Sequence, residues 1–190
     1  TNYGKIRLQS RVHSSDHIMT TVEDLVLGSN ENDIWEIGEG AEINFQENKL
    51  KCSHFSVVNQ QQELKLNGIV GPKETDELSI SLSEFDLSNF GDLTYNEESE
   101  VQLNGVINLD LSLKSILNNI EFTGSVIVNQ LILNDIQIGD LTFKSDWEGM
   151  DNRFVIEGGL RNEDRVEEIN FQSIKYYPFN DVKSQLEGAI

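Results

Sequence analysis

The apolar positions of this chain recur mostly at every second residue, the period of a strand with one face turned away from water. The pattern is clearest from Gly124 to Trp147. Val126 and Val128 alternate with Ile127 and Asn129, and Leu131 and Leu133 follow after a slip of one residue. Asn134-Asp135 breaks the run. Ile136 and Ile138, a turn expected at Gly139-Asp140, and then Leu141, Phe143, Ser145 and Trp147 complete the stretch.

The remainder repeats this design. Tyr3 to Val12 and Ile18 to Leu27 predict two strands joined near Ser14-Ser15-Asp16, and Gly28 to Asp33 reads as a loop by composition. Ile34 to Ile37, a Gly38-Glu39-Gly40 turn, and Ala41, Ile43 and Phe45 come next. A Glu47-Asn48 turn leads to Leu50, Cys52, Phe55 and Val57, and polar Asn59 to Gln62 leads to Leu64, Leu66, Gly68 and Val70. Beyond Gly71-Pro72, Leu78, Ile80 and Leu82 form a clean strand. Val101 to Leu113, through Leu103, Ile107, Leu109 and Leu111, is the longest alternating run. A turn within 146–152 precedes Phe154, Ile156 and Gly158. A polar turn at 161–164 precedes Val166 to Tyr177, and Leu186 and Gly188 close the series. Short strands separated by turn residues at such regular intervals predict an antiparallel all-β fold.

Two stretches change period. Leu87, Phe90 and Leu93, and again Leu113, Ile116, Leu117 and Ile120, fall at helical spacing. They predict one or two short helices closing an end or an edge of the sheet. A small unit also recurs, two alternating apolar residues followed after one position by glycine, ending at Gly68, Gly105, Gly124 and Gly158, and in shorter form at Gly188. Glycine within a strand marks a bulge or a bend, so the unit predicts a sheet that curls.

Composition narrows the function. With 14 basic and 33 acidic residues the formal charge is −19, which argues against a nucleic-acid partner and against docking on anionic headgroups through a basic face. A single cysteine, Cys52, excludes an internal disulfide, and its phase with Leu50 marks it as a buried hydrophobe. No apolar run approaches the roughly 20 residues of a membrane helix. The chain opens at Thr1, and the expectation is a piece of something longer.

Catalytic chemistry finds little foothold. Acidic residues cluster in turns (Glu97, Glu98 and Glu100; Glu163, Asp164, Glu167 and Glu168), and their spacing singles out no facing pair of the kind a glycosidase needs. His13 and His17 are four apart, a spacing suited to a metal only on a helix, and a third ligand is not near. There is no calcium loop, nucleophile elbow, phosphate loop or Cys/His cluster. No cofactor is implied, and the expectation is a protein without enzymatic activity. Trp35 and Trp147 would stack on sugars if exposed and otherwise pack in a core or at its rim.

The order of elements resembles the repeats of the TamB and AsmA-like family of large envelope proteins of diderm bacteria. The match runs from Trp35 through Ile43 and Phe45 to the strand ending at Gly68, then through Leu78 to Leu82, the Phe85 to Leu93 segment and the strand ending at Gly105. It continues from Gly124 through Ile136 to Leu141 and on to Trp147, so coverage is roughly 34–158. Residues 1–33 match less clearly, and 159–190 would begin a further repeat of one segment spanning 1–190.

The resemblance implies an elongated β-groove with an apolar interior, in a periplasmic protein whose parent is anchored in the inner membrane. It also implies transport of phospholipid between the two membranes and support of outer-membrane biogenesis with a barrel-type partner. The residues that would line the groove are Leu64, Leu66, Leu78, Ile80, Leu82, Leu109, Leu111, Leu113, Val126, Val128, Leu131, Leu133, Ile136, Ile138, Leu141 and Phe143. The competing reading packs them against one another in a closed β-sandwich, which would suit a module binding carbohydrate or protein at the cell surface. A hydrolase using an acidic pair is a third reading. A segment taken from a longer groove is also expected to expose strand edges and to pair with itself through them.

Overall fold

The computed structural model describes residues 3–14, 17–30, 33–88, 102–118, 120–162, 167–177 and 186–189. Nearly all of them are in strands: β1 Tyr3–Ser14, β2 His17–Asn30, β3 Asp33–Ile37, β4 Glu42–Gln46, β5 Lys49–Asn59, β6 Gln62–Val70, β7 Glu77–Asp86, β8 Leu103–Lys114, β9 Glu121–Leu133, β10 Ile136–Glu148, β11 Arg153–Asn162, β12 Glu167–Tyr176 and β13 Leu186–Ala189. They form one sheet, hydrogen-bonded in the order β1-β2-β3-β5-β6-β7-β8-β9-β10-β11-β12-β13, with β4 pairing β2 and β5. The chain divides into two compact units, one of Thr1–Ser83 with Leu111–Glu121 and one of Glu84–Asp110 with Phe122–Ile190.

In the first unit, β3 and β4 are two halves of one interrupted strand. Both run antiparallel to β2 and β5, β3 opposite Val26 to Asn30 and β4 opposite His17 to Thr21. The Gly38-Glu39-Gly40 segment, expected to be a turn, therefore does not reverse the chain. It loops out and rejoins, held by Val22 N–H donating to Ala41 O (3.0 Å) and Gly38 N–H donating to Ser56 O (2.8 Å). Ala41, fully buried, seals the break.

At two of the hairpin turns both turn residues take positive φ. These are Glu47-Asn48 (50° and 60°) and Asn134-Asp135 (47° and 64°), the backbone that matches the twist of the flanking strands. Both positions agree with the turns expected from sequence.

Other expectations are corrected. Gly28 and Asn30, expected in a loop, lie in β2: Gly28 pairs with Tyr3 on one side and Ile34 on the other, and Asn30 pairs with Asp33, while residues 31–32 lie outside the described residues. Pairing on both sides satisfies the backbone at Gly28 whatever the turn-like composition. Gly139-Asp140 is not a turn either and lies inside β10 at a register shift. Among the described residues of 113–120 the expected helix does not form. Leu113 belongs to β8, Ser115 takes φ 51°, and Asn118 N–H closes a turn on Ser115 O at 2.9 Å. Leu117 and Ile120 are exposed, so no apolar helical face exists to be buried. The other helical stretch begins as strand, with Phe85 and Asp86 in β7, and turns helical at Ser88. Its residues 89–93 lie outside the described residues.

Candidate functional site: the apolar face

Residues directly opposite in an antiparallel pair share a face, so the register gives the rows of side chains. In the first unit one row runs Val12, Ile18, Phe45, Leu50, Val70 and the next Ser10, Thr20, Ile43, Cys52, Gly68, Leu78. Phe55, Leu66 and Ile80 form a third, and Val57, Leu64 and Leu82 a fourth. The reverse face carries rows such as Ser56, Lys65, Ser81. On that side Ser112 Oγ donates to Glu77 Oε1 at 2.5 Å and Lys114 Nζ lies 3.6 Å from Glu77 Oε2. The serine hydroxyl, and then the lysine, hold the Glu77 carboxyl below the usual carboxylate range. Since Glu77 and Ser112 turn to this side, the strand alternation puts Leu78 and Ile80, and Leu111 and Leu113, on the other.

The second unit is built the same way. Its rows are Trp147, Phe154, Tyr176; Gly124, Ser145, Ile156, Ile174; Val126, Phe143, Gly158, Phe171; and Val128, Leu141, Leu160, Ile169. Leu131 opposes Gly139 and Leu133 opposes Ile136. The reverse face holds Ser125, Lys144 and Glu157, with Lys144 Nζ 2.7 Å from Asp146 Oδ2.

Among the described residues, the side chains of these rows are mostly half-buried. Among the described residues only Val22, Ala41, Cys52, Val57, Leu87, Val128 and Phe154 are buried hydrophobic side chains. Of the residues expected to line a groove, Val128 is buried, and Leu64, Leu66, Leu78, Ile80, Leu82, Leu109, Leu111, Leu113, Val126, Leu131, Ile138, Leu141 and Phe143 are half-buried. Leu133 and Ile136 are exposed. Side chains of a filled sandwich core would mostly be buried. All the described strands belong to one sheet.

Three of the glycine units share a setting. Gly68 lies beside a register shift at which His54 of β5 takes φ 52°, Gly105 lies against the Asn129-Gln130 carbonyls where Gln130 takes φ 53°, and Gly158 lies beside a shift at which Ser173 takes φ 54°. Each of these units therefore sits across from a bulge on the neighbouring strand. At Gly158 a Cβ would meet Phe171 Cζ at 2.6 Å, so the missing side chain is what allows the Phe171 ring to lie on the sheet. Two bulge amides have dedicated side-chain acceptors. Glu84 N–H donates to Asn108 Oδ1 (2.9 Å) and Gln130 N–H donates to Asp140 Oδ1 (2.8 Å).

An aromatic group lies at one end of the rows of the second unit. Phe154, only 2% exposed, stacks on Phe122 with centroids 4.0 Å apart, tilts against Trp147 at 4.6 Å and lies 6.3 Å from Tyr176. Trp147 is thus packed, and Trp35 is half-buried. Beside this group, Arg153 bonds Tyr177 and pairs with Glu148 and Asp151, which raises its already high pKa further. In the row adjacent to Phe154, Ser145 is 2% exposed and its hydroxyl has no hydrogen-bond partner.

Other flagged residues fall elsewhere. His13 and His17 flank the β1–β2 connection with rings 4.6 Å apart. Cys52 is buried, which raises its thiol pKa. Glu97, Glu98, Glu100, Glu163 and Asp164 lie outside the described residues. Ile43, Phe45, Phe55, Val57, Phe154, Ile156 and Phe171 share the rows beyond the residues expected to line a groove. The signal for Phe55 was its spacing of three from Cys52, which is the footprint of the His54 bulge. Compared with known proteins, the chain matches no family model, no curated protein and no solved structure.

Proposed function

We propose that this chain is a non-enzymatic segment of a TamB/AsmA-like envelope protein whose apolar face shields phospholipid acyl chains between the inner and outer membranes. The observation that carries the reading is the register of apolar rows, mostly half-buried in both units and backed by a polar face. An acyl chain in water costs about 0.8 kcal/mol for each exposed CH₂, so a carrier needs an unbroken apolar lining and cannot rely on a single pocket. Strands alternating in period two supply that lining while the reverse face stays hydrated. The periplasm is the compartment this reading implies, and a barrel-type outer-membrane protein is the partner of the parent.

The test is photocrosslinking in cells with the parent chain, placing a photoreactive residue at Leu66 with Lys65 as the reverse-face control, and at Phe143 with Lys144. Phospholipid adducts at Leu66 and Phe143 and none at the lysines are expected. Equal labelling on both faces, or none at Leu66 and Phe143, would return the rows to self-packing and favour a surface-binding module.

A further inference from the structure

The reversal from β1 to β2 brings two of the chain's three histidines together. Val12 pairs with Ile18 and Ser14 with His17, which leaves His13 as an extra residue of β1 at a register shift. Shifts of this kind re-aim a side chain out of the regular alternation. Here the His13 and His17 rings lie with centroids 4.6 Å apart and planes 30° from parallel. A spacing of four joins side chains on a helix, and the antiparallel turn-back of the chain does the same here. His13 is exposed and His17 half-buried, so small ions in solution reach both. Among the described residues neither ring forms an ion pair, so pairing with a carboxylate does not account for their approach.

Two neutral imidazoles side by side can act as a chelate. Metal–nitrogen bonds of about 2.0–2.1 Å from one ion put two ligating nitrogens about 3 Å apart. Ring nitrogens lie off the ring centre, so rings at 4.6 Å reach that separation by rotation about the soft terminal torsion of each side chain. Imidazole suits Cu(II), Ni(II) and Zn(II), with Cu(II) the tightest of these, whereas Ca(II) and Mg(II) take oxygen ligands. The net charge of −19 gathers cations of every kind at the surface. Selectivity among cations is therefore what separates a chelate from that background.

We propose that His13 and His17 form a two-imidazole site for a late first-row divalent ion, Cu(II) before Zn(II), with water in the remaining positions. No third His, Cys, Asp or Glu joins them among the described residues, so the affinity rests on two ligands and the ion exchanges readily. The bound ion ties β1 to β2 across the register shift, where the ladder between them is interrupted. His17 alternates with Ile18 of the apolar row and pairs with Gln46, so it lies on the polar face, and metal binding there is independent of what the apolar face carries.

The test titrates the native chain with CuCl2, ZnCl2 and CaCl2, following the histidine ring signals by NMR and Cu(II) ligation by electron paramagnetic resonance. Substoichiometric Cu(II) should broaden the His13 and His17 signals and leave His54 sharp, and the bound ion should show two nitrogen ligands. Zn(II) should compete for the same site more weakly, and Ca(II) should leave it untouched. Cu(II) affinity should fall at least about tenfold in His13→Ala and in His17→Ala, the loss that removal of even an outer-shell partner brings. His54→Asn should bind as the native chain does, Asn being chosen because it tolerates the left-handed backbone at φ 52°. Circular dichroism checks the fold of each variant, and if one fails to fold the broadening pattern of the native chain decides. Equal broadening of all three histidines, a single nitrogen ligand, displacement of Cu(II) by Ca(II), equal weakening in His54→Asn, or no Cu(II) binding would each overturn the proposal.

Discussion

Single side chains in this protein are constrained mostly by what lies across the strand from them. Gly68 adopts φ 132°, and a Cβ there would strike Glu77 O, whereas Gly40 at φ 78° has open space around it. Gly40→Ala should cost only the left-handed backbone penalty of about 1 kcal/mol, and Gly68→Ala should add an overpacking cost of about 1–3 kcal/mol to it. Urea denaturation of the two variants measures the gap. Equal losses would mean that backbone conformation alone selects these glycines. Ser145 gives the opposite case, because its buried hydroxyl is unpaired and removing it leaves nothing else stranded. Ser145→Ala should raise stability by about 1 kcal/mol, seen as a higher melting temperature.

Asp76 tests the electrostatics of one turn. Lys49 Nζ (2.9 Å) and then the Lys73 N–H (3.0 Å) bond its carboxylate and lower its pKa. A carboxyl with a lower pKa in the folded state stabilises the fold fully at pH above its unfolded pKa. That contribution is lost as pH falls through the lowered folded value. Asp76→Asn should therefore be less stable than the native chain at pH 7, with the difference shrinking through the acid range. A difference that stays constant with pH would show that charge is not what Asp76 contributes.

At the scale of elements, the strands were legible in the sequence and their interruptions were not. Alternation located β7, β8 and the β9–β10 hairpin, and the slip between Val128 and Leu131 is the Gln130 bulge. Gly139-Asp140 misled because a phase change in a strand and a turn between strands look alike when only local residues are read. The difference is whether the chain reverses, and that is decided by the partner strand. The same holds for Gly38 to Gly40, where β2 and β5 keep the direction of β3 and β4 in common. The apparent helix at 113–120 arose by joining the last apolar residue of a strand to those of a turn. The residues that share the apolar face were legible wherever phase was unbroken, and Phe55 and Phe171 were hidden by bulges. Those bulges are held from neighbouring strands. Asn108→Ala and Asp140→Ala should each cost about 1 kcal/mol and speed hydrogen exchange at the Glu84 and Gln130 amides respectively. Unchanged exchange at those amides would show that the bulges stand without these acceptors.

For the molecule as a whole, solubility is set by charge acting against open apolar rows. The formal charge is −19 at pH 7 and vanishes near the sequence pI of about 4.3. Repulsion between molecules disappears at that point while Ile6, Leu8, Val12, Phe45 and Ile136 stay exposed. Light scattering should show a sharp rise in association as pH approaches about 4.3, reversed on returning to pH 7. Substituting Ile6, Leu8 and Val12 with Thr should reduce it; no effect would place the contact elsewhere.

The order of the sheet bears on how such a chain comes into being. Apart from the split strand, each strand lies beside the one made just before it, so no strand must wait for a distant partner. Contacts local in sequence form early and need little loop closure. A polypeptide emerging end-first from a narrow channel could then fold one hairpin at a time, each new strand adding to the last and drawing the following residues through. Pulled from one end, the same chain would come apart in reverse, as a series of small steps instead of a single rupture.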